Sequence, residues 1–220
     1  MNSREANSFS YRILVFSTIA TDLEIAVARR YWGMNSTGES IVLIGMMGAG
    51  KSSVGRCLQR QTRLALLDTD DIVASQFGLS IPEIFSKHGE KRFREAETKA
   101  LCGLPMTEQR IIVTGGGIVL REENLDFLKR LGAVVWLDGD EETLFNRASQ
   151  AANRPLLKTA NPRKAFSQML QGRLPIYAHI AHLRIDTSVL TDEEVAVAIL
   201  SKLRKVRRNR RARSSNSDIR

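Results

Sequence analysis

Gly45-Met46-Met47-Gly48-Ala49-Gly50-Lys51-Ser52 has the form G-x-x-x-x-G-K-S, the signature of a loop that wraps phosphate groups. Its neighbours fit that reading. Ile41-Val42-Leu43-Ile44 is a short apolar, largely β-branched run, which predicts a buried strand leading into the loop. On the other side, Val54, Cys57 and Leu58 recur at helical spacing within Ser53–Arg60. Strand, glycine loop and helix form the arrangement that phosphate binding needs. Glycines let the backbone curl until several N–H groups point into one concavity. The positive end of the helix dipole then faces the anion. Lys51 is predicted to reach the β- and γ-phosphates of a nucleotide, and the Ser52 hydroxyl to ligate Mg²⁺.

Four further strands are expected at Leu64–Asp68, Ile111–Thr114, Ala133–Leu137 and Leu183–Asp186, with helical patterns between them. This alternation predicts an α/β protein, a five-stranded parallel sheet with helices on both faces. Ligands of such sheets sit beyond the carboxyl ends of the strands, so the residues just after each strand carry the chemistry. Asp68-Thr69-Asp70-Asp71 follows the second strand. Asp68 is placed to hold Mg²⁺ or its waters near Ser52, and Asp70 to face an acceptor hydroxyl. The plainer role, capping the next helix, falls to Asp71 or Asp70. Gly115-Gly116-Gly117 follows the third strand and lets bare backbone approach a ligand.

The segment 80–104 is long for a simple crossover and suggests a small acceptor-binding subdomain. Ser80 and Glu83 form a capping box there, Lys87–Glu90 interrupts the helix, and Arg94 and Glu97 share a face at i, i+3. By itself such a pair reads as an ordinary solvated helix face. A helix capped by Asp140 carries Arg147 and runs into Ala151-Ala152-Asn153-Arg154-Pro155. Arg154 precedes a proline and should be extended. It reads as a lid arginine that neutralises charge on a phosphoryl group in transfer. Arg173, in Gly172-Arg173-Leu174-Pro175, is expected at a helix break and suits a carboxylate. His179 and His182 are also i, i+3, but with no third ligand they do not make a metal site.

The net charge of +9 over 220 residues is concentrated at one end. Residues 201–220 hold nine Lys/Arg against one Asp, so the rest of the chain is almost neutral. The expected organisation is an extension over 1–38, a folded domain over 39–203 and a basic disordered tail over 204–220. The extension reads as an accessory or a start set too early, with Met34 a few residues before the first strand. The tail has no interleaved aromatics for stacking on bases, so nucleic acid is not an expected partner. No run approaches the roughly 20 apolar residues of a membrane span. Cys57 and Cys102 match no metal spacing and read as reduced, buried thiols, as in a cytoplasmic protein.

Taken together, the ordered motifs resemble shikimate kinase from about Ser40 to about Leu203. They are Gly45–Ser53, Asp68-Thr69-Asp70, Phe93-Arg94 with Glu97, Gly115–Gly117, Arg154-Pro155-Leu156-Leu157 and Arg173–Tyr177. The resemblance implies a three-layer P-loop kinase fold like that of nucleoside monophosphate kinases, with a lid and a small substrate-binding subdomain. It implies ATP and Mg²⁺ as cofactors and phosphorylation of the 3-hydroxyl of shikimate. By similarity, Gly48, Ala49, Gly50, Lys51, Ser52 and Ser53 hold ATP phosphates. Ser52 and Asp68 organise the metal. Asp70, Arg94, Gly116 and Arg173 bind shikimate, Arg154 lies on ATP, and Arg147 lies beside the adenine. Lys51, Asp70 and Arg154 are the expected catalytic residues, in a monomer. The segment Thr187–Leu190 offers no obvious polar reader of the base. The competing readings are a related kinase for another acceptor such as gluconate or a nucleotide, and a non-catalytic nucleotide-dependent binder whose tail contacts RNA or DNA.

Overall fold

The computed structural model describes residues 39–150 and 154–217. The extension expected over 1–38 lies outside the described residues, as do Ala151, Ala152 and Asn153 of the expected lid. The chain runs β1 (Ser40–Ile44), α1 (Lys51–Thr62), β2 (Ala65–Asp68), α2 (Thr69–Phe77), α3 (Ile81–Cys102), β3 (Arg110–Val113), α4 (Glu122–Leu131), β4 (Gly132–Asp138), α5 (Glu141–Ser149), α6 (Pro162–Ile180), β5 (Leu183–Asp186) and α7 (Asp192–Ser217). Single 3₁₀ turns lie at Ile118–Leu120 and Pro155–Leu157. All five expected strands form, with ends shifted by no more than a residue.

The strands form one parallel sheet in the order β2-β3-β1-β4-β5. β1 and β4 are buried along their whole length, as befits central strands covered on both faces. Val42 lies in register between Ile112 of β3 and Val134 of β4. The order decides where a ligand goes. The chain leaves β1 toward β2 on one side and leaves β3 toward β4 on the other. Adjacent strands with opposite exits leave a crevice beyond their carboxyl ends. The phosphate-loop sequence follows β1 and the triple glycine follows β3, so both open on that crevice.

The loop's conformation explains its glycines. Gly48 and Gly50 have φ of 87° and 80°, which side chains beyond glycine rarely adopt. A Cβ at Gly48 would also lie 2.1 Å from the Leu144 carbonyl oxygen. α1 starts directly at Lys51 and buries Val54, Cys57 and Leu58 as the spacing predicts.

Local chemistry departs from expectation in four places. Asp68, not Asp70 or Asp71, caps α2, accepting the Asp70 N–H at 3.0 Å. α3 is interrupted at Gly89 (φ 76°, ψ 167°), within the expected break. Around that break α2 and α3 enclose their own apolar cluster of Val73, Ile84, Phe93, Ala96 and Ala100. Arg173 is not at a helix break: α6 continues through Pro175. Phe166, Leu170, Arg173, Tyr177 and Ile180 recur on its buried face, and this packing outweighs the poor local propensity. Cys102 is exposed, because it ends α3 while Leu101 takes the buried position. Finally, α7 runs on to Ser217, where an irregular tail is expected from 204. The Arg, Lys and Ala of this stretch are good helix formers, and no Gly or Pro interrupts it.

Gly55 tests the packing of α1 on the sheet. A Cβ there would lie 2.7 Å from Val113 Cγ2 and 3.1 Å from Leu66 Cδ1. Gly55→Leu should therefore lower the unfolding free energy by about 2 kcal/mol through overpacking. Urea denaturation measures this, and an unshifted midpoint contradicts the close approach.

Candidate active site

Two adjoining clefts lie over the crevice. The larger, of about 610 Å³, is lined by Gly48, Gly50, Lys51, Ser52 and Ser53 of the loop, and by Asp68, Asp70, Gly116, Arg147 and Arg154. The smaller is lined by Asp70, Phe93, Arg94, Glu97, Arg154 and Arg173, with Gly115–Gly117. Asp70, Gly116 and Arg154 belong to both, so the clefts share a wall.

In the larger cleft the Lys51 ammonium donates to the carbonyls of Gly45 (2.9 Å) and Met46 (3.0 Å). Burial lowers its pKa to about 8, against the opposing pull of Asp70, so a phosphate beside it would favour the charged form. The Ser52 hydroxyl donates to Asp68 Oδ2 at 3.3 Å. Burial, reinforced by the charge of Asp70, raises Asp68 to about 6. Burial also raises Asp70, opposed by Lys51, Arg94 and Arg154. One Asp70 carboxylate oxygen is buried without a hydrogen-bond partner. A hydroxyl beside two crowded carboxylates suits a hard cation that takes one or two protein oxygens and completes its shell with water and phosphate. Among the described residues no group of three His, Cys, Asp or Glu side chains forms a closed metal cage.

In the smaller cleft Arg94 donates to Glu97 (2.5 Å) and Glu90 (3.0 Å). Glu97 is 1% exposed. Burial raises it to about 7, although Arg94 pulls the other way. Gly117 is glycine because Arg94 lies across it: a Cβ there would be 2.4 Å from the guanidinium carbon. Arg173, 4% exposed, reaches from α6 and touches Met46 Sδ at 3.5 Å. It also lies 3.6 Å from where a Gly116 Cβ would be. Two guanidiniums, a carboxylate and bare glycine backbone thus converge on one apolar-walled slot, with Ile81, Phe85 and Phe93 as its wall.

Of the residues singled out in the sequence, the structure brings Lys51, Ser52, Ser53, Asp68, Asp70, Arg147 and Arg154 to the larger cleft and Asp70, Arg94, Gly116 and Arg173 to the smaller. Ala49 lines neither cleft with its side chain, which is fully buried, so its expected part in phosphate binding falls to its backbone N–H. Arg147 donates to Thr187 (oxygen O at 3.0 Å and Oγ1 at 3.3 Å), pinning the segment after β5. Leu190, Thr191, Asp192 and Glu193 line the far end of the larger cleft. Their acids read in sequence only as partners of the α7 dipole, so this wall went unseen. The aromatic wall of the smaller cleft was also missed, because Phe85 and Phe93 look like core. His182 accepts the Val134 N–H through Nδ1 at 2.9 Å, so the histidine pair is structural on at least one side.

A phosphate loop at the β1/β3 crevice, an adjacent anionic-acceptor slot and an arginine shared between them define a P-loop kinase of the α/β class. The profile of the shikimate kinase family matches residues 47–204. Shikimate kinase from Thermodesulfovibrio yellowstonii is 42% identical over 162 residues, covering 74% of this chain and 93% of that protein. Its counterpart from Symbiobacterium thermophilum is 39% identical over 166 residues, 74% and 95% of the two chains. The solved structure of shikimate kinase from Acinetobacter baumannii in complex with shikimate has a TM-score of 0.75 and 36% identity, covering 79% of this chain and 97% of that one. The structure from Aquifex aeolicus has a TM-score of 0.66 and 38% identity, covering 75% and 96%. This chain belongs to the shikimate kinase family.

The crowded carboxylates have a measurable consequence. A carboxylate whose folded pKa is raised holds its proton more tightly in the folded state, so it costs stability as pH rises from its unfolded value to its folded one. For Asp68 that window is about pH 4 to 6. Asp68→Asn keeps a cap for α2 and removes the charge. Its stability advantage over the parent should grow from pH 4 to pH 7, by on the order of 1 kcal/mol after discounting for solvent access. Thermal denaturation at the two pH values reads it, and a difference independent of pH refutes the assignment.

Proposed function

We propose that this chain transfers the γ-phosphoryl group of ATP to the 3-hydroxyl of shikimate, giving shikimate 3-phosphate and ADP. The observation that carries the reading is the convergence of Arg94, Arg173 and Asp70 on a slot opening beside the phosphate loop. Shikimate has one carboxylate to meet the two guanidiniums, and hydroxyls to meet the aspartate and the Gly116 backbone. Membership of the family and the shikimate complex of the Acinetobacter structure support it.

In this reading the amides of Gly48–Ser53 and the Lys51 ammonium hold the ATP phosphates, while Arg147 lies beside the adenine. Arg94 and Arg173 fix the acceptor's carboxylate, which leaves its 3-hydroxyl facing Asp70. Asp70 orients that hydroxyl and takes its proton as oxygen attacks the γ-phosphorus and ADP departs. A raised pKa suits this base, because the carboxylate of a weaker acid accepts a proton more readily. Lys51 and Arg154 stabilise the negative charge on the phosphoryl group in transfer. Mg²⁺ fits Ser52 and Asp68, where it would neutralise phosphate charge and relieve the repulsion between Asp68 and Asp70. Every side chain invoked comes from one chain, so the proposed site is complete without a second subunit, and we take the enzyme to act as a monomer. Among the described residues no helix is long and apolar enough to cross a membrane, and the thiols of Cys57 and Cys102 are free. A cytoplasmic location is part of the proposal. The proposed partner is the small molecule; nucleic acid is not expected, because the basic tail has no interleaved aromatics for stacking on bases.

A coupled assay of ADP release with shikimate, gluconate or no acceptor tests the reaction, and release that does not depend on shikimate rejects it. Asp70→Asn should lower kcat by about a hundredfold or more with the fold intact; retained turnover removes Asp70 as the base. Arg173→Ala should raise KM for shikimate by about a hundredfold, the loss of a charged hydrogen-bonded contact, and leave KM for ATP nearly unchanged.

A further inference from the structure

Tyr177 is fully buried on the same face of α6 as Arg173, one turn further on. Its ring stacks on Trp136 of β4, with centroids 5.9 Å apart. Its hydroxyl donates a short hydrogen bond to the carbonyl oxygen of Gly116. That bond joins α6 to the glycine run that lines the acceptor slot. In a planar trans peptide the C=O of one residue and the N–H of the next point in opposite directions. Fixing the Gly116 carbonyl toward Tyr177 therefore turns the Gly117 N–H away from it. Among the described residues no hydrogen bond takes up that N–H. Turn bonds hold the carbonyls on either side, from Ile118 N–H to Gly115 and from Leu120 N–H to Gly117, and the Tyr177 hydroxyl is the group that holds the carbonyl between them. The space a Gly117 Cβ would occupy is taken by the Arg94 guanidinium.

We propose that Tyr177 is a positioning residue for the acceptor: its hydroxyl locks the Gly116–Gly117 peptide in the orientation that presents backbone N–H to the substrate beside Arg94 and Arg173. The proposal rests on the acceptor slot being the shikimate site. Burial raises the phenol to about 12, with Arg173 opposing, so it remains a donor throughout the working pH range. The helix that supplies the carboxylate-binding arginine thus also sets the backbone that faces the same ligand. A substrate contact and its support share one rigid element.

Tyr177→Phe removes the hydroxyl and keeps the ring. The expected result is a rise of about tenfold in KM for shikimate, the worth of one hydrogen bond near the top of the usual range. KM for ATP and kcat should stay within twofold. Trp136→Phe is the packing control: it disturbs the ring stack, leaves the hydroxyl, and should keep KM for shikimate. Shikimate binding by calorimetry on the folded protein repeats the comparison independently of turnover. An unchanged KM in Tyr177→Phe overturns the proposal. So does an equal rise in both variants, which would assign the effect to packing. The parent enzyme is assayed first, and its failure to phosphorylate shikimate would sink the functional reading rather than this one.

Discussion

The Lys51 ammonium is buried and held by two carbonyls of its own loop. That constraint governs the structure around it. A buried cation is costly unless its hydrogen bonds are met, so the loop must curl back on its own lysine. The curl requires positive φ at Gly48 and Gly50, and those residues lie against the backbone of α5 and the start of α7. A strand before the loop and a helix after it fix both ends of the curl. The parallel sheet, with β1 at its centre, is the scaffold that holds strand and helix in place.

The same economy of space shapes the acceptor side. Asp68, Asp70 and Glu97 are all displaced toward the neutral form by burial. Apart from the cap that Asp68 gives α2, the charge on these carboxylates costs the fold stability. Their charges are concentrated where cationic or hydroxylic ligands would relieve them, while stability comes from the apolar sheet core and the separate α2–α3 cluster. The slot lies beside the α2–α3 cluster, whose Phe93 forms part of its wall.

The layers were legible because their signals are local. β1 and β4 read as buried runs, and the loop reads from its spacing. The catalytic side could be placed because parallel sheets put chemistry at strand ends. What stayed hidden depends on tertiary contact. Arg173 looked like a break residue because Gly172 and Pro175 flank it; only the buried stripe from Phe166 to Ile180 shows the helix continuing. Phe85 and Phe93 look like core because a wall of a slot and a core have the same composition. Asp68 was read for metal and not for capping, although one carboxylate does the capping through Oδ1 and meets Ser52 through Oδ2. The far wall at Thr191–Glu193 gave no signal, since acids in a first helical turn have a sufficient local reason.

The continuity of α6 has a consequence for selectivity. An arginine on a loose connection can follow ligands of different length, because its main chain adjusts at small cost. Arg173 is carried mid-helix and hemmed in by Met46, so its head group behaves as a fixed gauge mark. The span from that mark to the Asp70 carboxylate is set when the protein folds, before any ligand arrives. On the function proposed above, this ruler would exclude acids whose reactive oxygen sits a bond too near or too far, even where their charge is correct.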